Sequence, residues 1–299
     1  AALVTPDRGL ARRVAAELER WGLAIDDSAG RPLGLTAPGA FLRLVATMVA
    51  ERFAPVPLLA CLKHPLASAG REPAAFRALV RRLEVAALRG PRPADDLAGL
   101  AARLDDARLR GLVEDLDTLA APFARALAAP ETPFAELVRL HLALAEALAD
   151  CPAVPGGGRL WAGEAGEAAA RFAAELLEAA PALGSVAGRH YAALFDELVA
   201  RPVVRSAWDS HPRLFLWGPL EARLQRPDLL ILGGLNEGTW PAPPDADPWM
   251  SRPMRDRFGL PPLERRIGQA AHDFAQAFAA PRVVLTRAQR VDGTPTVPS

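Results

Sequence analysis

The sequence predicts an α/β fold, a parallel-sheet domain interrupted by a large all-helical insertion. Three observations predict it. Short apolar runs bounded by turn residues sit near the two ends of the chain, at 3–5, 214–217, 229–232 and 283–286, and read as buried strands. Between them, from Pro55 to about Arg205, alanine, leucine, arginine and glutamate recur at helical spacing and β-branched residues thin out. Finally, the run 229–232 opens into a polar glycine-bounded loop, Gly-Gly-Leu-Asn-Glu-Gly-Thr-Trp-Pro, at the strand end where open α/β sheets bind ligands.

Taken in order, Leu3 to Thr5 is the first strand. Thr5-Pro6-Asp7 then supplies an N-cap, a proline at the first helical position and an acidic first turn. Leu10, Val14 and Leu18 repeat at helical spacing up to Trp21-Gly22, and Asp26 to Gly30 reads as a solvated turn. A second helix runs from about Gly39 to Phe53. Helices of the insertion are expected around 73–88, 94–104, 106–127, 133–149, 163–180 and 188–199, with Pro155-Gly156-Gly157-Gly158 as a flexible joint. A last helix, about 263–278, separates the final two strands. The resulting division is 1–55 and 206–299 for the sheet domain and 56–205 for the insertion. The closing Thr-Pro-Thr-Val-Pro-Ser reads as carrying no terminal element, which suggests a piece excised from a longer protein.

At 299 residues and 51% hydrophobic composition the chain can bury a sizeable core, and its zero formal charge supplies no global field for nucleic acid. Any such site must be local. Lys63 is the only lysine, and His64 follows it with no glycine turn before it, so the chain has no Walker-type phosphate loop of its own. A metal nuclease of the PD-(D/E)xK kind fails too, because no lysine follows Pro227-Asp228. Cys61 and Cys151 are isolated and read as buried apolar groups of a reduced protein. The five histidines, among them His64, His190, His211 and His272, show no ligand spacing, so no structural metal is expected. No membrane span or signal peptide is expected.

Five stretches taken together carry a resemblance: Leu3 to Arg13, Leu62 to Leu66, Leu214 to Gln225, Gly233 to Pro241 and Glu264 to Ile267. In this order, the set resembles the second RecA-like domain (2A) of superfamily 1 helicases, which is interrupted by a helical 2B-type insertion. Within that superfamily it is most similar to the AddB family of the alphaproteobacterial type, partner subunits in AddAB double-strand-break repair helicase-nucleases. The resemblance implies a cytoplasmic, non-catalytic scaffold that guides DNA during end processing beside an AddA-type subunit. It also implies that ATP and magnesium belong to the partner motor, and that the iron-sulfur cluster and nuclease magnesium belong to a domain outside this chain.

The departures from working helicases support an inactive reading. The histidine and lysine expected before motif V are replaced by Leu216-Trp217-Gly218-Pro219, and the motif IV arginine gives way to Val4-Thr5-Pro6-Asp7, with Arg8 a displaced substitute. Val284-Leu285-Thr286-Arg287-Ala288 looks like the segment that supplies an arginine finger. Counting from Glu264-Arg265-Arg266-Ile267 instead places that position near Ala279 to Pro281 and puts Val283 to Arg287 in a strand. The second register is preferred because Arg282 to Leu285 has a buried-strand pattern. A DNA strand held as in helicases would meet the strand-end loops, at Trp217, Glu221, Arg223, Asn236, Glu237, Trp240 and Arg252, with arginines and amides on phosphates and Trp217 or Trp240 as the stacking surface. Arg265-Arg266 are expected to pair with carboxylates. A working motor domain contributing half of an ATP site, or a docking module for the AddA partner, are the alternatives.

Overall fold

The computed structural model describes residues 1–205, 211–244 and 247–299, which divide into two units, 1–30 with 205–299 and 31–204. In the first unit the chain runs β1 (Ala2–Val4), α1 (Arg8–Arg20), β2 (Asp26–Asp27), β3 (Phe215–Trp217), β4 (Leu230–Leu232), α2 (Arg252–Arg257), α3 (Arg265–Phe278) and β5 (Val283–Leu285). These five strands form one all-parallel sheet in the order β2-β3-β1-β4-β5, with Ala2 beside Phe215 and Leu230, and Val4 beside Trp217 and Leu232. The α/β expectation is met.

Alternation along the strands sends Ala2, Val4, Leu230 and Leu232 to one face, where Ala270, Phe274 and Ala277 of α3 cover them. On the opposite face a Cβ added to Gly233 would lie 2.9 Å from the Leu3 side chain and 3.1 Å from that of Leu10 of α1, so a larger residue here would displace those two leucine ends. At the sheet edge, Val284 and Leu285 of β5 remain about half exposed, which departs from the buried pattern expected of them.

Four details of the local reading change. Asp7, not Thr5, caps α1, accepting from the amides of Gly9 and Leu10 at 2.8 and 3.0 Å, while Pro6 lies ahead of the helix. Asp26–Asp27 is an edge strand rather than a turn, paired in parallel with Phe215 and Leu216, and Arg8 pins the Asp27 carboxylate at 2.6 and 2.8 Å and also donates to Gly30 O. Arg8, the displaced substitute of the motif IV arginine, is thus engaged through Nη2 within its own domain. The closing residues are tied down: Arg290–Val291 pairs with Thr294–Pro295, and Pro298 bridges to Asn236.

The second unit is helical, as expected, but begins at Arg31 rather than 56. The helix Ala37–Ala50 buries Phe41, Leu42, Val45, Met48 and Val49 in the helical core, so its apolar face belongs with the insertion and not with the sheet. The glycine joint is also different. Gly156–Leu160 is a short helix, its start held by the Asp150 carboxylate accepting from Gly156 N at 3.0 Å. An added Cβ at Gly156 would stand 1.8 Å from Glu146 O, so a glycine there allows close helix packing rather than flexibility. No helix among the described residues is long and apolar enough to cross a membrane.

At the centre of the helical core lies His141, fully buried, stacked on Phe123 and edge-on to Phe195. Its Nε2 lies 2.9 Å from Leu42 O, which can only accept, so Nε2 carries the proton and Nδ1 accepts from the Tyr191 hydroxyl at 2.9 Å. Burial pushes the His141 pKa down to about 4, against the smaller opposing effect of the Leu42 carbonyl. The unfolded chain takes up this proton below about pH 6.5 and the folded one only below about 4, so the stabilisation is complete above pH 6.5 and is lost as the pH falls through that window. Urea titrations should show wild-type stability falling between pH 6.5 and 4 by about 3 kcal/mol more than that of His141→Gln. Equal slopes for the two proteins would remove His141 from the acid response.

Candidate nucleic-acid interface

A parallel sheet aligns its strand exits on one side. The exits of β1, β3 and β4 carry Pro6, Pro219 and the loop around Thr239 to Pro243, and these line a cavity of about 790 Å³ closed by the start of α3. This is the position predicted for a ligand crevice in an open α/β sheet. Prolines supply much of the wall, which stiffens the loops because each fixes its own φ.

The charges in this wall are largely matched. Asp247 takes amide donors from Trp249 and Met250 at 3.0 and 3.1 Å and an Arg255 Nη1 donor at 2.6 Å. Those amides first, and Arg255 second, hold its carboxyl below the usual aspartate range. Arg255 also donates to Pro261 O at 3.1 Å, so it braces its own loop. Asp273, buried on α3, receives a bidentate pair from Arg223, Nε at 2.8 Å and Nη2 at 2.9 Å, which raises the guanidinium pKa further above its ordinary value. The other cations of the wall, Arg265 and Arg266, lie at the first turn of α3. The stretch 252–287 holds seven arginines against three carboxylates, a local basic segment inside a neutral chain.

The residues expected to touch DNA are placed differently from one another. Trp240 is 3% exposed, in the sheet core and edge-on to Phe274, so it offers no stacking face. Trp217 is half-buried and stacked on Phe215 at 5.1 Å. Arg223 is committed to Asp273. The Asn236 side chain is 6% exposed and fully occupied: Nδ2 donates to Ala288 O at 2.7 Å and Thr296 Oγ1 at 2.8 Å, and Oδ1 accepts from Ala288 N at 3.0 Å. It clamps the closing segment to the loop after β4. Glu221 and Glu237 are exposed, and Arg252 is an exposed cation paired with Glu264 at 2.5 Å. Of the set, Trp240 alone lines the main cavity; it shares a smaller one, about 430 Å³, with Arg223 and Asp273.

Sequence reasoning passed over Arg255 and Asp247 and set Arg265 and Arg266 aside. The arginine density of 252–266 was the available signal. It also missed Trp249, 86% exposed and two residues from Asp247. Arg287 lies beyond β5 rather than inside it, exposed at the carboxyl-end side and lining an apolar cavity of about 570 Å³ with Trp240, Ile267 and Phe274. The strand is one residue shorter than expected at its end, where Thr286 still directs its amide and hydroxyl to Leu232 O.

No protein-family model and no curated protein matches the chain.

Asn236→Ala removes three hydrogen bonds that tie the closing segment to the loop after β4 and should cost about 1–3 kcal/mol. Limited proteolysis should then cut first within 288–298. A cleavage pattern identical to wild type would show that the clamp is redundant.

Proposed function

We propose that the chain is a non-catalytic, DNA-guiding module of the AddB type, a RecA-like (2A-like) sheet domain carrying a helical 2B-like insertion, working in the cytoplasm beside an AddA-type partner in double-strand-break end processing. The all-parallel sheet split by a helical unit supports the domain reading. The observation that carries the DNA reading is the strand-end cleft walled by the arginine-rich stretch 252–287, with Arg255, Arg265 and Arg266 lining it. Phosphates are engaged there, and the stacking surface expected of Trp217 or Trp240 passes to the exposed Trp249.

The test is fluorescence anisotropy of labelled oligothymidylate across a salt series. Binding should weaken with salt, Arg265→Ala/Arg266→Ala should lower the salt slope by about 1 to 2, and Trp249→Ala should cost about 1–3 kcal/mol where Trp217→Ala costs little. Absence of binding at about 50 mM salt would defeat the proposal.

One observation favours the second reading, a working motor domain: Arg287 stands at the carboxyl-end edge of the sheet and not within a strand. An arginine finger requires that kind of exposed placement. In the full-length complex, with the nuclease and the partner motor silenced, the scaffold reading expects no nucleotide hydrolysis. A residual ATPase that falls by about 10³-fold on Arg287→Ala would establish the motor instead.

A further inference from the structure

A second concentration of positive charge lies in the helical unit. Leu62, Lys63, Arg77, Val80, Arg81, Glu84, Val85 and Arg89 line a cavity of about 570 Å³. Four cations face one carboxylate there. Glu84 is the anchor, bound by Lys63 at 2.6 Å and Arg89 at 3.3 Å. These donors, Lys63 first, hold its carboxyl below the usual glutamate range.

Arg77 and Arg81 are different. They sit one turn apart on the helix Pro73–Leu83, both exposed, and neither has an ion pair or hydrogen bond among the described residues. Like charges at this spacing repel, and no described residue forms an ion pair with either. The helix then widens into a π-turn, Glu84–Leu88, a local irregularity that brings Arg89 back to Glu84 on the rim. The single lysine of the chain is fixed on the same rim. Three guanidiniums and the Lys63 ammonium line one cavity with Leu62 and Val80, a donor set suited to the several oxygens of a phosphate group.

We propose that this pocket binds phosphate groups, with Arg77 and Arg81 as the ligand-contacting pair and Glu84 as the residue that positions Lys63 and Arg89. A nucleic-acid backbone and a free nucleotide polyphosphate share this chemistry.

The full chain is titrated with labelled oligothymidylate, with ATP and with inorganic phosphate, comparing wild type, Arg77→Ala/Arg81→Ala and a charge-matched control, Arg139→Ala/Arg171→Ala, at exposed positions of the same unit. The pocket variant should lose about tenfold in affinity for at least one phosphate probe, with the control within about twofold and thermal melts unchanged. Arg77→Lys/Arg81→Lys should recover part of the loss. Loss confined to oligothymidylate identifies a backbone contact, and loss confined to ATP or phosphate identifies a free ligand. Equal binding by pocket variant and control with every probe, no binding of any probe by wild type, or equal competition by polyglutamate would each overturn the assignment. Because Arg265 and Arg266 belong to the other unit, their variant reports on the strand-end cleft independently.

Discussion

The strand-end cleft depends on the ion pair between Arg223 and Asp273. A carboxylate on the sheet-facing side of a helix has no stable place in an apolar layer unless its charge is answered. Arg223 answers it bidentately from the segment after β3, and so ties that segment to the middle of α3. The two parallel hydrogen bonds fix rotation as well as distance. With α3 fixed about this point, Phe274 falls on Trp240 and the first turn of the helix falls on the strand exits. The cationic wall of the cleft therefore follows from a pairing on the inner side of the same helix.

Much of the fold was legible because periodicity is local. Leu10, Val14 and Leu18, or the run 229–232, announce their element without reference to anything distant. What failed was direction. Arg223, Asn236 and Trp240 were singled out correctly as polar or aromatic groups near strand ends, yet they turn inward, towards partners 50, 52 and 34 positions away. Nothing in a local window distinguishes an arginine aimed at solvent from one aimed at a buried aspartate. His141 illustrates the same limit, since Leu42 and Tyr191 lie 99 and 50 positions from it.

The misplaced joints have a different origin. Composition places the sheet-to-insertion boundary where alanine and arginine begin to dominate, whereas the structure places it where the Ala37–Ala50 helix finds a complementary core. The glycine triplet fails similarly. Three glycines in sequence suggest slack, but Gly156 is small because the Glu146 carbonyl leaves no room for a side chain.

At the far end of the sheet, no described strand pairs with the outer side of β5, and two of its apolar side chains are about half exposed. Such a border is a template for another copy to continue the ladder. Arg282 and Arg287 bracket those three residues, so two copies approaching edge to edge bring like charges together before any backbone pairing forms. This guard is electrostatic and is weakened by salt. Concentrated brine is thus the condition under which the chain is least protected from stacking upon itself.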